Sequence, residues 1–379
     1  MKLKLIKIFI VSVLMFCFLP TLTSASTIYY TMNVGSETIQ LKFDEETGTI
    51  LRSFLQKEVV LEIPSEINGV TVKHIGDYAF RDAYIVQVNI PNSVESIGYG
   101  AFMGCKKLVV VNLGDNVTDI GNCAFISCEN LSEINIPNGV KKLGYEVFRD
   151  CINLSDIQIP NSLEYIDSAA FLHCSSLNTL FIPDSVIEIK EGVFRGCANL
   201  KEILVGEHNT RYSSINGVLV ENDNNRWNKL LCYPPSKTGE TYTIPNGINY
   251  IAEGAFEGCN NLTNINISNG VQIINVYAFA KCDNLVNMTI PNTLTHFLGS
   301  TFYESKNFMN VYYNGSEEDW KKIQIDDTNK ELLAATIYYN RDNPEYPNEP
   351  ENPDKPNNPS EPENPDKPDK PDKPEVPQP

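Results

Sequence analysis

The chain has 379 residues, 42% of them hydrophobic and 21% charged, and its 48 acidic residues outnumber 30 basic ones to give a net charge of −18. An acidic balance of this size repels phosphate backbones, which excludes nucleic-acid binding through a basic stripe. The charge divides into +3 for residues 1–25, −6 for residues 341–379 and −15 for the segment between, and that segment is long enough for an extensive core.

Residues 1–25 place Lys2, Lys4 and Lys7 before an apolar run from Ile8 to Leu19 and end in Thr23-x-Ala25. This is the pattern of a secretory signal peptide, and the apolar run falls short of the ~20 residues that span a bilayer. In residues 26–62, Thr27–Tyr30, Thr38–Phe43 and Val59–Ile63 read as strands separated by turn residues. A hairpin-like cap is expected there, because the first coil of a stacked array would otherwise expose its core and an open sheet edge.

From residue 63 to 312 the sequence repeats. Phe80, Phe102, Phe125, Phe148, Phe171 and Phe194 follow one another at steps of 22 or 23 residues, and Phe256, Phe279 and Phe302 resume the series after an interruption. A Cys stands three residues after most of these Phe residues and a Leu three further on, as in Phe148, Cys151 and Leu154. Self-similarity at one fixed period means a solenoid. The repeats also carry L-x-x-I-x-I-P or a close variant of it, as in Leu131, Ile134, Ile136 and Pro137. On a strand, Ile134 and Ile136 point inward while Glu133 and Asn135 point outward, and Pro137 ends the ladder. Val140 and Leu143 start a second side of the coil, and the spacing of Val147, Phe148 and Cys151 suits one helical turn.

The run I-P-x-x-V-x-x-I-G-x-x-A-F-x-G-C-x-x-L, at Ile90 to Leu108 and again from Ile244, resembles the BspA-type leucine-rich repeat surface proteins. The resemblance covers about residues 63–312. It implies a leucine-rich-repeat array of about nine coils and a secreted or surface-displayed protein, several relatives being adhesins toward host proteins or other microbes. It implies a role class and no particular ligand.

The interruption at 205–243 contains Gly217–Val220 and Lys229–Pro235 around Asn222-Asp223-Asn224-Asn225, the signature of a β-hairpin within the stack. Residues 313–340 change character. Ser316-Glu317-Glu318-Asp319 resembles a capping box and Leu332–Ala335 a second short helix, so a C-terminal cap is expected. From Pro344 to Pro377 every third residue is proline. Residues 341–379 therefore read as an extended or disordered spacer of roughly 110 Å at ~3.1 Å per residue. No sorting motif is seen after it, which puts covalent wall attachment in doubt.

Nine cysteines follow the signal segment and seven are in register. Stacked positions lie about 4.8 Å apart with parallel Cβ vectors, whereas a disulfide needs converging Cβ atoms ~3.8 Å apart, so buried thiols are expected. Neither Cys123 with Cys128 nor the four His residues, 74, 173, 208 and 296, form a metal or catalytic pattern, and no cofactor or metal is expected. Glu133 and Asp156, outward on neighbouring strands, approach the carboxylate separation of a retaining glycosidase. An open sheet, however, has no pocket to raise one carboxyl pKa. What remains is a binding surface. Phe181 and Leu204 are neighbouring apolar residues at an outward position, beside Asp156 and Glu202, and an aromatic within an acidic rim suits a basic extracellular protein. The competing reading is that they pack beneath the 205–243 insertion. The reading is a non-enzymatic, secreted or cell-surface binding protein, with a structural cell-wall-layer component as the alternative and a hydrolase less favoured.

Overall fold

The computed structural model describes residues 26–55, 57–222 and 228–340. The expected signal peptide at 1–25, residues 223–225 of the expected turn and the proline-rich segment 341–379 lie outside them.

Each repeat makes one coil of a parallel β-solenoid with three sides. The first side is the L-x-x-I strand. Ile85–Asn89 pairs in parallel with Val110–Asn112, which pairs with Glu133–Ile134. The second side is a two-residue strand in each coil, such as Lys142–Leu143, Tyr165–Ile166 and Glu188–Ile189. A constant step of 23 residues brings like side chains into columns, so one apolar choice repeated in sequence becomes a continuous core. Leu131, Ile134, Val140, Leu143, Phe148 and Cys151 are all buried, each large one stabilising by roughly 1.5–3 kcal/mol.

The third side differs from the helical turn that its spacing suggests. Glu146 (φ 53°) and Asp150 (φ 59°), two residues before and after Phe148, are left-handed, and no right-handed helical turn accommodates them. The reason lies in the next coil. Glu146, Phe148 and Asp150 donate their N–H groups to the carbonyls of Ser168, Ala170 and Leu172 at 3.2, 3.0 and 2.9 Å. The residues between them close tight turns onto carbonyls three positions back, as Arg149 does onto Glu146 at 3.2 Å. Stacked turns thus form a third ladder, and the left-handed residues aim alternate N–H groups at it. Other coils place glycine at both positions, Gly100 with Gly104 and Gly254 with Gly258, where the left-handed region costs least.

Inside this ladder the Phe rings stack, with centroids 5.4 Å apart for Phe102 and Phe125 and 5.7 Å for Phe125 and Phe148. The cysteines do not pair with one another. Cys128, Cys151, Cys174 and Cys197 each donate Sγ–H at 3.1 Å to the carbonyl of the Phe one coil earlier. Ser305, at the Cys position of the last repeat, makes the same bond to Phe279 at 2.6 Å. The column therefore conserves a donor to the Phe carbonyl as well as an apolar volume.

The solenoid has about 12 turns, more than its Phe-bearing repeats, because the flanking segments continue the ladders. Thr27–Val34 and Glu37–Asp44 form an antiparallel hairpin. Thr49–Ser53, however, pairs with His74–Ile75, and Val59–Glu62 with Ile85–Asn89, both in parallel. Residues 26–62 thus contain solenoid strands as well as a hairpin. At the other end Ser316 caps Glu317–Trp320, its hydroxyl accepting from the Asp319 N–H at 3.1 Å. Gln324–Ile325 and Thr336–Tyr339 then extend the second and first ladders.

The insertion has three strands instead of two. Tyr212–Ile215, Val218–Glu221 and Lys229–Cys232 are antiparallel in turn, and the last joins Tyr250–Ile251 in parallel. Tyr233 takes the Phe place, 5.2 Å from the Phe256 ring. The second ladder stops at Glu188–Ile189 and resumes within the insertion, whose last strand leads it on to Tyr250–Ile251, whereas the first stops at Glu202–Val205 and resumes only after it, at Thr241–Thr243.

Candidate binding face

The outward positions of the first ladder form two columns. Val110 lies opposite both Gln87 and Glu133, the same step continues to Asp156, and Thr179 lies opposite Glu202. Two residues on, Asn112 lies opposite Asn89, Asn135 opposite Gln158 and Phe181 opposite Leu204. Parallel strands stand about 4.8 Å apart, so Phe181 and Leu204 touch at neighbouring positions. Glu202 is one position along the column from Thr179, and Asp156 one beyond it. The five residues Glu133, Asp156, Phe181, Glu202 and Leu204 share one face.

Phe181 is 49% and Leu204 41% exposed. The insertion therefore does not bury the pair. It meets the last strand beside them: Ile203 N–H donates to the Gly217 carbonyl at 2.9 Å, and Ser214 Oγ donates to the Ile203 carbonyl at 2.6 Å. A Cβ on Gly217 would come within 3.0 Å of Glu202 Cβ. The hairpin thus forms a wall along the Glu202 edge while leaving the apolar pair open.

Past the insertion the face changes. Thr241, Asn264, Asn287, Asn310 and Thr336 form one column and Thr243, Asn266, Thr289, Tyr312 and Tyr338 the other. The outward residues singled out in the sequence end at Leu204, and the same strand register carried beyond residue 243 reaches this half. Asn310 donates to Asn287 at 2.8 Å and Asn287 to Asn264 at 2.7 Å, an amide ladder along the sheet.

A polar junction, also unread from the sequence, ties the coils across the insertion. Arg195 donates to Glu257 at 2.6 Å and Glu253 at 2.8 Å, and its guanidinium lies 4.7 Å from the Tyr277 ring centre. Lys281 meets the buried Glu257 from the other side at 3.1 Å. Gly254 (φ 61°) makes room for it, since a Cβ there would lie 2.5 Å from Arg195 Cγ. These pairs are 58–62 residues apart in the chain, beyond the reach of a local motif.

The histidines do not converge on one another. His173 pairs with Asp150, His74 with Ser96 and His296 with Thr295, each at 2.8 Å. All nine cysteines among the described residues are buried and unbridged. Burial pushes the Cys232 and Cys282 thiols to about 12 and those of Cys128, Cys174, Cys197 and Cys259 well above their ordinary range. They are therefore neutral near pH 7 and serve as packing rather than as nucleophiles. Among the described residues no group of three or more His, Cys, Asp or Glu could hold a metal ion, and no helix is long and apolar enough to cross a membrane.

A search of curated proteins returns no match. Among solved structures, a leucine-rich cell surface protein from Faecalibacterium prausnitzii is 25% identical with a TM-score of 0.52, over 79% of this chain and 98% of its own. The pneumococcal vaccine antigen PcpA is 19% identical with a TM-score of 0.61, over 85% of this chain and 88% of its own, a likeness of fold alone. The BspA-type leucine-rich repeat model matches residues 73–203 and 235–329 in six copies. With its three-sided 23-residue coils and stacked Phe and Cys columns, the chain belongs to the BspA-type leucine-rich repeat family.

Proposed function

We propose that this chain is a secreted, cell-surface-associated, non-enzymatic protein that binds an extracellular protein partner, of host or microbial origin, and so acts in adhesion. The observation that carries the reading is the side-by-side exposure of Phe181 and Leu204 on a face whose neighbouring column holds Glu133, Asp156 and Glu202. A large apolar pair set among carboxylates is the composition of an interaction hot spot with a charged rim. The acidic rim steers a basic surface toward it and the apolar pair holds it. The family and the surface-protein structure it resembles support the extracellular location.

The test is kinetic. A partner is first recovered with the immobilised chain from extracellular-matrix and cell-wall fractions, and its binding is then followed by surface plasmon resonance. Phe181→Ala should raise the dissociation rate, whereas Asp156→Asn with Glu202→Gln should slow association and flatten its salt dependence. If neither variant changes binding to any partner recovered, this site is wrong.

A further inference from the structure

The sheet face beyond the insertion has a chemistry of its own. Its ten outward positions, on the five strands from Thr241–Thr243 to Thr336–Tyr339, hold four Asn, four Thr and two Tyr. No charged residue occurs among them in a chain that is 21% charged. The same columns before the insertion carry Glu62, Glu133, Asp156 and Glu202 with Phe181 and Leu204. A protein with a net charge of −18 has thus kept one half of one face neutral and built it from groups that both donate and accept hydrogen bonds.

The amides are held in place. Asn287 uses one N–H on Asn264 and one lone pair for Asn310, and each carboxamide has two donors and two lone pairs, so the ladder fixes its orientation and leaves bonding capacity toward solvent. Asn266 is held by the Thr243 hydroxyl at 3.2 Å. At the C-terminal end, Tyr312 and Tyr338 stack with ring centres 5.1 Å apart and planes within 13°. The longer tyrosines rise above a floor of Thr and Asn and close it at that end.

We propose that this face binds an uncharged, extended, β-linked polysaccharide. Neutrality matches a ligand with hydroxyls and no charge, where a charged face would hold water or a protein partner more strongly. The strand spacing of about 4.8 Å is close to the length of one pyranose ring, so an extended chain laid across the strands meets an equivalent amide or hydroxyl on each coil. A β-1,4-linked chain is flat and extended and keeps this register, whereas an α-linked chain coils out of it. The tyrosines provide apolar ring surface with hydroxyl tips, which suits the alternation of C–H faces and O–H edges on a sugar. This site is separate from the Phe181 site, lying on the other side of the insertion.

Native affinity electrophoresis of the full chain tests it, with hydroxyethylcellulose or galactomannan cast into the gel and amylose and polygalacturonate as comparisons. The chain should be retarded by the neutral β-linked polymers and not by the other two. Tyr338→Ala, a half-exposed change on the last strand, and Asn287→Leu, which removes one rung of the ladder, should each weaken retention about tenfold, or about 1.4 kcal/mol. Phe181→Ala should leave it unchanged. Thermal unfolding of each variant by circular dichroism shows that the array is intact; if Asn287→Leu does not fold, Tyr338→Ala alone decides. Absence of retardation by any neutral β-linked polymer overturns the proposal. So does equal retention of wild type and Tyr338→Ala, or retardation by polygalacturonate alone. Loss of protein binding in the Phe181 variant with glycan retention intact would leave this proposal standing by itself.

Discussion

Phe148→Ala tests the stacking that holds the coils together. The side chain is fully buried, and its ring lies 5.7 Å from both Phe125 and Phe171. Truncating a buried Phe to Ala typically costs about 3–5 kcal/mol, the larger values arising where the surroundings cannot collapse into the cavity. Collapse is blocked here, because the backbone is tied on both flanks: Phe148 N–H donates to Ala170 at 3.0 Å and Phe125 N–H to Val147 at 3.0 Å. The expected loss is therefore about 4–5 kcal/mol, measured by urea denaturation followed by circular dichroism. Because each coil contacts only its neighbours, the weakened interface should also broaden the transition or split it in two. Phe148→Leu keeps most of the volume and should lose only about 1.5 kcal/mol. A loss below ~1 kcal/mol for Phe148→Ala, with a single sharp transition, would refute the argument that the Phe column is a close-packed core.

Thiol titration of denatured, unreduced protein should find at least seven free thiols, and the native protein should react far more slowly, because all nine cysteines are buried; three or four disulfides would contradict the ladder. Arg195→Met leaves the buried Glu257 with Lys281 as its remaining partner, and should destabilise by about 3 kcal/mol with partial rescue by Glu257→Gln; urea denaturation of the four-member cycle measures the coupling. The Asp319 carboxyl is held down to about 2 by its bonds to Lys322 and Ser316. Since that lies below the unfolded value of about 3.9, its stabilisation is complete above pH ~4 and is lost as the pH falls toward ~2. Trp320 fluorescence in a Trp227→Phe background should follow this change, and Asp319→Asn should remove it.

Much of this molecule was legible in the sequence because a repeat states each instruction many times. The period of the Phe residues set the coil, the alternation around Ile134 and Ile136 set which side chains face in, and the misaligned Cβ geometry of stacked positions argued for thiols over disulfides. Each of these is a local rule repeated at a constant step, and stacking like on like turns it into a column. The outward residues of the candidate face, Glu133 to Leu204, follow from the same register.

The tertiary structure decided what repetition leaves ambiguous. Apolar residues at 147, 148 and 151 fit a helical turn and a stacked β-turn equally well, and the choice went to the turn because the next coil offers carbonyls to Glu146, Phe148 and Asp150. Whether Phe181 and Leu204 were open or covered depended on where a 39-residue interruption came to rest, and it rests beside Glu202 with its edge on Ile203. Arg195 finds its carboxylates 58 and 62 residues away. Periodicity speaks only about residues one coil apart, so contacts made across the break in the period are set by packing in three dimensions.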